Sequence, residues 1–252
     1  MQTLTFILYL FAAICLYAAI HHLVFFIRKT QASIYLTFSI MCFLHIGYFI
    51  SQGLWYSSAT VDQAFLLVQI SYSLVSLILI SQFWFFYAFC EKTFRIFWCY
   101  LGSIVFGLFS ILSFIPNDLM LSIGSATLKK TTFFNLVGIS VYEFQPGYIF
   151  ALFFIATFAE MFFLLAVVCE YYLKLSGTLF KPMPIALGLM VVAAIHDTLS
   201  ALGVINTIYI SEFAYLTLVL VMAYSLQNSF FGAKNTTQSA KGTTVSSRIE
   251  SN

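Results

Sequence analysis

The sequence predicts an all-α polytopic membrane protein, a seven-transmembrane-helix bundle with the N-terminus outside and the C-terminus in the cytoplasm. Of the 252 residues, 62% are hydrophobic and only 8% are charged, and the mean hydropathy is +0.97. A soluble domain has about 25% charged residues, so this chain cannot cover a water-facing surface. Seven long apolar runs, with basic residues collected in alternate connections, complete the prediction.

Each membrane crossing requires about 20 apolar residues, because a helix rises about 1.5 Å per residue. The predicted transmembrane domain covers 1–231, with spans of about 4–27, 33–57, 63–89, 95–115, 148–173, 182–205 and 208–231. Polar or helix-breaking segments separate the spans, in order Arg28-Lys29-Thr30-Gln31, Ser57-Ser58-Ala59-Thr60, Glu91-Lys92-Thr93, Pro116-Asn117-Asp118, Ser176-Gly177 with Lys181-Pro182, and Asn206-Thr207. No basic residue precedes the first run, which indicates a retained helix rather than a signal peptide.

The distribution of lysine and arginine predicts the orientation. Nine of the eleven basic residues follow the first, third, fifth and seventh runs, and only Lys129 and Lys130 fall on the opposite side. Cytoplasmic loops carry the excess of basic residues, so an odd number of crossings puts the N-terminus outside. Trp55 and Tyr56 are then expected as aromatic anchors at the outer interface.

Two segments lie outside the predicted helices. The extracellular loop 116–147 contains short alternating stretches, which favour either a hairpin that caps the bundle or an ordered but irregular lid. Residues 232–252 lose every apolar period and are rich in Ser, Thr, Lys and Gly, which predicts a disordered cytoplasmic tail. The five cysteines show no CxxC spacing, so neither a disulfide framework nor a zinc ribbon is predicted.

Ionisable side chains within a membrane are costly and are therefore candidates for function. Two of them fall near mid-membrane, in the second and fifth spans, and four others fall near the outer ends of the fifth to seventh spans. The candidate ligand-binding residues are Asp197, Glu212, His196, Glu143, Glu160 and His45. The outer four are expected to gather around one outward-facing cavity. The competing interpretation is that these groups only form hydrogen bonds between helices, at about 0.6 kcal/mol each.

Several functional classes can be compared on these residues. A retinal pigment needs a lysine deep in the bundle, and every lysine here falls in a connection or the tail. A small transporter or channel subunit remains an alternative, although no internal repeat is visible. An intramembrane metal-dependent hydrolase could assemble only His45, His196 and Asp197 as ligands. We predict no catalytic residue, cofactor or metal, and the small net charge of +2 does not indicate a nucleic-acid partner.

The last two spans resemble the end of the seven-transmembrane sensory region of bacterial histidine kinases and diguanylate cyclases. The residues that carry the resemblance are His196-Asp197-Thr198-Leu199, Gly203 and Tyr209-Ile210-Ser211-Glu212-Phe213, with Tyr17, His22, Arg28-Lys29 and Tyr35-Leu36-Thr37-Phe38 in the first two spans. In that family, an Asn-Asp-x-Leu pattern is followed by a glycine and a tight turn into the final helix. His196 stands where the family usually has asparagine.

The resemblance implies a sensor or receptor-like module of the bacterial inner membrane that detects a small ligand or a membrane state. The family continues into a coiled coil and a catalytic domain, whereas 232–252 contains no heptads and no histidine. We therefore expect signalling through a cytoplasmic kinase or cyclase in trans, or through the rest of a longer sensor kinase. The lipid bilayer and a second copy of the chain, as a homodimer, are the other expected partners.

Overall fold

The computed structural model of the protein describes residues 2–28, 33–115, 119–133, 137–176, 181–205 and 207–227. The elements in order are α1 (Gln2–Arg28), α2 (Ser33–Tyr56), α3 (Val61–Phe89), α4 (Phe97–Leu112), β1 (Leu121–Phe133), β2 (Val137–Pro146), α5 (Phe150–Ser176) and α6 (Pro182–Ala201). A last helix, α7, occupies 211–227. The predicted tail at 232–252 and the end of the span predicted at 208–231 lie outside the described residues.

Apolar helices dominate the structure. Within the described residues, α1, α2, α3, α5 and α6 are long and apolar enough to cross a membrane, and α4, with 16 residues, is apolar but shorter. Large apolar side chains cover the outside of these helices, for example Tyr17 at 74% exposure and Ile104 at 70%. Such a surface would be unfavourable in water, so the chain is an integral membrane protein in contact with lipid.

The helices pack mainly against their neighbours in the sequence, as α1 with α2, α2 with α3, α3 with α4, and α5 with α6. The helix α7 returns to the first two helices. The Phe213 ring lies 5.4 Å from the Phe11 ring of α1, and the Tyr215 ring lies 5.3 Å from the Tyr48 ring of α2. These edge-to-face aromatic contacts close the bundle around a core at α2, α3 and α7.

Small residues allow some of these helices to approach closely. A Cβ atom at Gly102 of α4 would clash with the Phe83 ring of α3, whereas one at Gly107 would meet nothing within 4 Å. The hydroxyl groups of Ser73 and Ser110 form a hydrogen bond of 2.7 Å between the same two helices. Close packing and interhelical hydrogen bonds are the main sources of helix association in lipid.

The loop between α4 and α5 forms an antiparallel hairpin, which is the first of the two alternatives left open by the sequence. Strands β1 and β2 pair from Leu121 opposite Pro146 to Phe133 opposite Val137, with an irregularity between Ser122 and Thr127. The alternation of apolar and polar residues explains the strands, because one face of the hairpin packs on the helices. Contacts with α2 and α3 hold the hairpin over one end of the bundle.

The end of α6 differs from the predicted boundary at 205. The helix ends at Ala201, and Gly203 adopts a positive φ of 73°. The N–H of Gly203 donates to the carbonyl of Ser200 at 3.0 Å, and the N–H of Val204 donates to the carbonyl of Leu199 at 2.9 Å. This pair of bonds is a Schellman motif, which places glycine at the left-handed position after the helix. The chain therefore leaves α6 early, and α7 begins at 211 rather than 208.

Candidate functional site

A cavity of about 160 Å³ lies beneath the hairpin. Its lining comes from α2, α3, the hairpin, α5, the end of α6 and the start of α7. Three of the six candidate ligand-binding residues, Glu143, Asp197 and Glu212, line it. Most of the remaining lining is apolar or aromatic, including Tyr48, Trp55, Tyr72, Phe150, Tyr209 and Tyr215. A pocket with an apolar wall and a few converging polar groups is the usual form of a small-molecule site.

Asp197 connects the last turn of α6 to the first turn of α7. Its Oδ1 accepts a hydrogen bond of 2.8 Å from the N–H of Ile210, and its Oδ2 accepts one of 2.9 Å from the N–H of Ser211. The first N–H groups of a helix have no partner within the helix, so Asp197 acts as a cap supplied by another helix. The carboxylate also favours the positive end of the α7 dipole.

His196 holds this cap in place and does not line the cavity. Its Nδ1 lies 2.9 Å from Oδ1 of Asp197, and its Nε2 lies 3.0 Å from the hydroxyl oxygen of Thr207. The structure thus brings His196 and Asp197 together in one polar chain between α6 and the segment that leads into α7. In this chain the imidazole orients the carboxylate.

Glu143 belongs to a second polar cluster, which joins the hairpin to the helices. Its Oε1 lies 3.0 Å from the ammonium nitrogen of Lys129 and accepts a hydrogen bond of 2.7 Å from the hydroxyl of Tyr209. Lys129 also donates to the carbonyl oxygen of Ser200 at 2.7 Å. Burial, together with the charge of Glu143, raises the pKa of the Tyr209 hydroxyl, which precedes α7, well above its ordinary value. The hydroxyl therefore stays a donor.

Glu212, in the first turn of α7, is less fully satisfied. It is buried, and its Oε1 accepts a long hydrogen bond of 3.4 Å from the hydroxyl of Tyr56. Among the described residues, its Oε2 has no hydrogen-bond partner, and neither has the buried amide oxygen Oε1 of Gln52. Both side chains line the cavity. Two residues that line the same cavity thus each carry a buried oxygen atom without a hydrogen-bond partner in the described part of the chain.

His45 and Glu160 lie elsewhere in the bundle and do not line the cavity. Nδ1 of His45 donates to the carbonyl oxygen of Met41 at 2.8 Å, and its ring lies 5.3 Å from the Tyr215 ring. Within the described part of the chain, Nε2 of His45 and both oxygens of Glu160 have no hydrogen-bond partner. Of the four outer residues expected around one cavity, three line it and His196 does not, and His45 and Glu160 also lie apart from it.

Several residues of the site were not selected by the sequence reasoning. Lys129 was used only to orient the chain, yet it neutralises Glu143 and contacts the end of α6. Trp55, expected as an aromatic anchor at the outer interface, is buried, and its indole N–H donates to the carbonyl of Tyr142 in the hairpin at 3.0 Å. Gln52 could have been found, because an uncharged amide in the apolar second span carries the same desolvation cost that singled out His45.

The described part of the chain contains no evident metal centre. No group of three or more His, Cys, Asp or Glu side chains there is arranged to hold a metal ion. The three residues considered for an intramembrane hydrolase divide between two places, because His196 and Asp197 lie at the end of α6 and His45 lies in the core against Tyr215.

Comparison with known proteins gives no family assignment. No protein-family model matches the sequence, and no significant match was found among curated proteins.

Proposed function

We propose that the chain is a seven-helix membrane sensor, receptor-like in design, which binds a small molecule in the cavity beneath the hairpin. In this proposal α4 and α7 complete seven crossings of a bacterial inner membrane, with the N-terminus outside and the C-terminus cytoplasmic. The 9 to 2 division of basic residues supports this orientation. The cavity then opens toward the outside, and the signal passes to a kinase or cyclase on a separate cytoplasmic chain.

The observation that carries the proposal is the convergence of the hairpin, α6 and α7 on one cavity. The hairpin contributes Glu143, the end of α6 contributes Asp197, and the start of α7 contributes Ser211 and Glu212. A bound molecule would contact all three elements at once. A ligand shifts a conformational equilibrium by its differential affinity for the two states, and a site at the junction of several elements offers such a difference.

The helix α7 offers a direct route from the cavity to the opposite face. It begins among the cavity residues and continues as helix to residue 227. A displacement at Ser211 would therefore be transmitted along a rigid rod of about 1.5 Å per residue. The route supports a sensor whose output partner, a separate cytoplasmic chain, reads the position of the last helix.

Filling the cavity tests the proposal. Ala194 of α6 lines the cavity, whereas Ala151 of α5 is exposed on the surface of the bundle. We expect compounds from a small-molecule panel to raise the melting temperature of the wild-type protein in nanodiscs, because a ligand at 100 times its Kd stabilises by about 2.7 kcal/mol. Ala194→Leu should remove that shift, and the matched Ala151→Leu should retain it. Equal shifts in both variants would contradict binding in this cavity.

The orientation has its own test. Short epitope tags at the two ends of the full chain should be accessible from opposite faces of sealed membranes. Accessibility from the same face would require an even number of crossings and would remove the proposed outward opening.

A small transporter or channel subunit is a second candidate, and Glu160 is the observation that favours it. This buried glutamate in α5 has both oxygens without a partner among the described residues, and ionisable groups at membrane depth often mark ion or proton pathways. Flux in vesicles reconstituted with the pure protein, lost on Glu160→Gln but kept in Glu170→Gln, would favour transport. Absence of flux in the wild type would favour the sensor.

A further inference from the structure

We infer that the cavity beneath the hairpin selects a small organic cation, an amine attached to an apolar body, with Glu212 as its counter-ion. The inference rests on the proposed function, because it names the class of ligand that the same cavity would bind. Its basis is the combination of unpartnered acceptors, an excess of carboxylates and an aromatic wall.

The hydrogen-bonding groups of two residues that line the cavity favour a ligand that donates hydrogen bonds. Oε2 of Glu212 and Oε1 of Gln52 are both acceptors, both belong to side chains at least nine-tenths buried, and both lack a partner among the described residues. Buried polar groups without a hydrogen bond cost free energy, and the cost is greater for charged groups. An ammonium group carries up to three N–H donors, so a ligand amine could donate to either of these side chains.

The negative charges around the cavity favour a cationic ligand. Its lining contains three carboxylates, those of Glu143, Asp197 and Glu212, and none of the described lining residues is basic. Two of the three carboxylates already have partners. Lys129, which is not among the lining residues, pairs with Glu143, and His196 contacts Asp197. Glu212 has no ion-pair partner among the described residues, and it is close enough to Asp197 for electrostatic repulsion. A cation beside Glu212 would relieve this repulsion in a site of low dielectric constant.

Among the described residues, the ionisable groups around Glu212 include no base. From α2, the hydroxyls of Tyr56 and Tyr48 face it, from α6 the carboxylate of Asp197 faces it, and Tyr215 lies one turn further along α7 itself. None of these groups supplies a positive charge. In this proposal the occupant of the cavity supplies the counter-charge for an ionised Glu212.

The walls and the volume limit the rest of the ligand. Aromatic rings line the cavity on several sides, among them Tyr48, Trp55, Tyr72 and Tyr215. The faces of such rings attract ammonium groups, and their bodies pack on apolar surface. The volume of about 160 Å³ is close to that of an engineered cavity of roughly 150 Å³ that binds benzene. One ring or a short alkyl chain with a single amine fits this space.

Three probes of nearly equal size test the inference on the full-length chain in nanodiscs. Benzylamine, benzyl alcohol and benzoate share one ring and differ in charge. We expect benzylamine to bind at least tenfold more tightly than benzyl alcohol, and benzoate to bind least, as measured by titration calorimetry. Glu212→Gln should reduce the affinity for benzylamine at least tenfold and leave that for benzyl alcohol within threefold. Gln52→Leu, which removes the second acceptor, should weaken benzylamine binding in the same direction.

Glu160→Gln is the matched control, because Glu160 is also a buried glutamate with unpartnered oxygens but does not line the cavity. Benzylamine binding unchanged in Glu160→Gln supports the inference, whereas equal losses in both glutamate variants overturn it. No benzylamine binding, or equal affinity for the amine and the alcohol in the wild type, overturns it without any variant. Binding of another probe that Ala194→Leu abolishes would then leave the proposed sensor intact and reject only the cationic ligand.

Discussion

The carboxylate of Asp197 accepts a hydrogen bond of 2.9 Å from the backbone N–H of Ser211, although thirteen residues separate the two positions. One oxygen of the same carboxylate accepts from Ile210. The end of α6 is thereby joined to the beginning of α7 by the side chain of a single residue. Since Asp197 and Ser211 also line the cavity, the geometry of the site depends on the same bonds that start the last helix.

Removing this cap should destabilise the protein. Asp197→Ala leaves the N–H groups of Ile210 and Ser211 without their acceptor, and loss of a helix cap costs about 0.5–2 kcal/mol. Asp62, exposed in the first turn of α3, is the matched control, and Asp62→Ala should cost less than Asp197→Ala. Reversible unfolding in mixed micelles measures both values. A smaller loss for Asp197→Ala than for Asp62→Ala would contradict the capping role.

The ion pair between Lys129 and Glu143 should contribute more than a surface pair. Its side chains are only 13% and 21% exposed, and hydrogen bonds to charged groups in such surroundings contribute about 1.5–3 kcal/mol. A double-mutant cycle with Lys129→Met and Glu143→Gln should give a coupling energy in this range. The same cycle on Lys174 and Glu170, exposed at 68% and 65%, should give only about 0.3–0.5 kcal/mol. Similar coupling energies for the two pairs would show that the hairpin is not anchored by this contact.

Gly203 offers a test of backbone conformation without side-chain clashes. A Cβ atom there would meet nothing within 4 Å, but φ is +73°. Gly203→Ala should therefore cost about 1–2 kcal/mol, the price of a left-handed conformation for a residue with a side chain. Gly188, inside α6, also has open space around its Cβ position, and Gly188→Ala should stabilise by about 0.5–1 kcal/mol. Changes of the same sign in thermal unfolding would refute this account of the end of α6.

The contact between α3 and α4 gives a complementary test of packing. Gly102→Ala would press a methyl group into the Phe83 ring, and overpacking of this kind costs about 1–3 kcal/mol. Gly107→Ala, on the same helix with nothing within 4 Å, should instead gain up to about 1 kcal/mol from helix propensity. Denaturant unfolding of the two variants in parallel would decide the point, and a tolerated Gly102→Ala would mean that α4 packs less closely than described.

The sequence was most informative where one physical effect dominated. The cost of burying polar backbone in lipid makes long apolar runs helical, and the helices α1, α2 and α3 begin and end within two residues of the predicted bounds. The polar chain of His196 and Asp197 was also selected from the sequence, because charges in apolar runs are conspicuous. The resemblance to sensory regions and the cytoplasmic partner stay predictions.

Other features depended on contacts between distant segments, which a single sequence does not encode locally. Lys129 contacts Glu143 and Ser200 only because β1, β2 and α6 meet in the fold. No local sequence pattern predicts that Lys129 pairs with Glu143 rather than with water. The separation of Glu160 from the cavity depends on how α5 is rotated about its axis, and the apolar residues on all sides of this helix leave that rotation undetermined. Burial of Trp55 likewise follows from the hairpin, whose formation the sequence left open.

The short length of α4 has a consequence for the surroundings of the protein. Sixteen residues extend about 24 Å along a helix axis, whereas the hydrocarbon layer of a typical bilayer is about 30 Å thick. In the proposed topology, we expect the lipids beside α4 to thin locally, whereas those beside the 29-residue α3 need no such adjustment. Such a mismatch costs fractions of a kcal/mol per ångström. The stability of the bundle should therefore depend on the thickness of the host membrane.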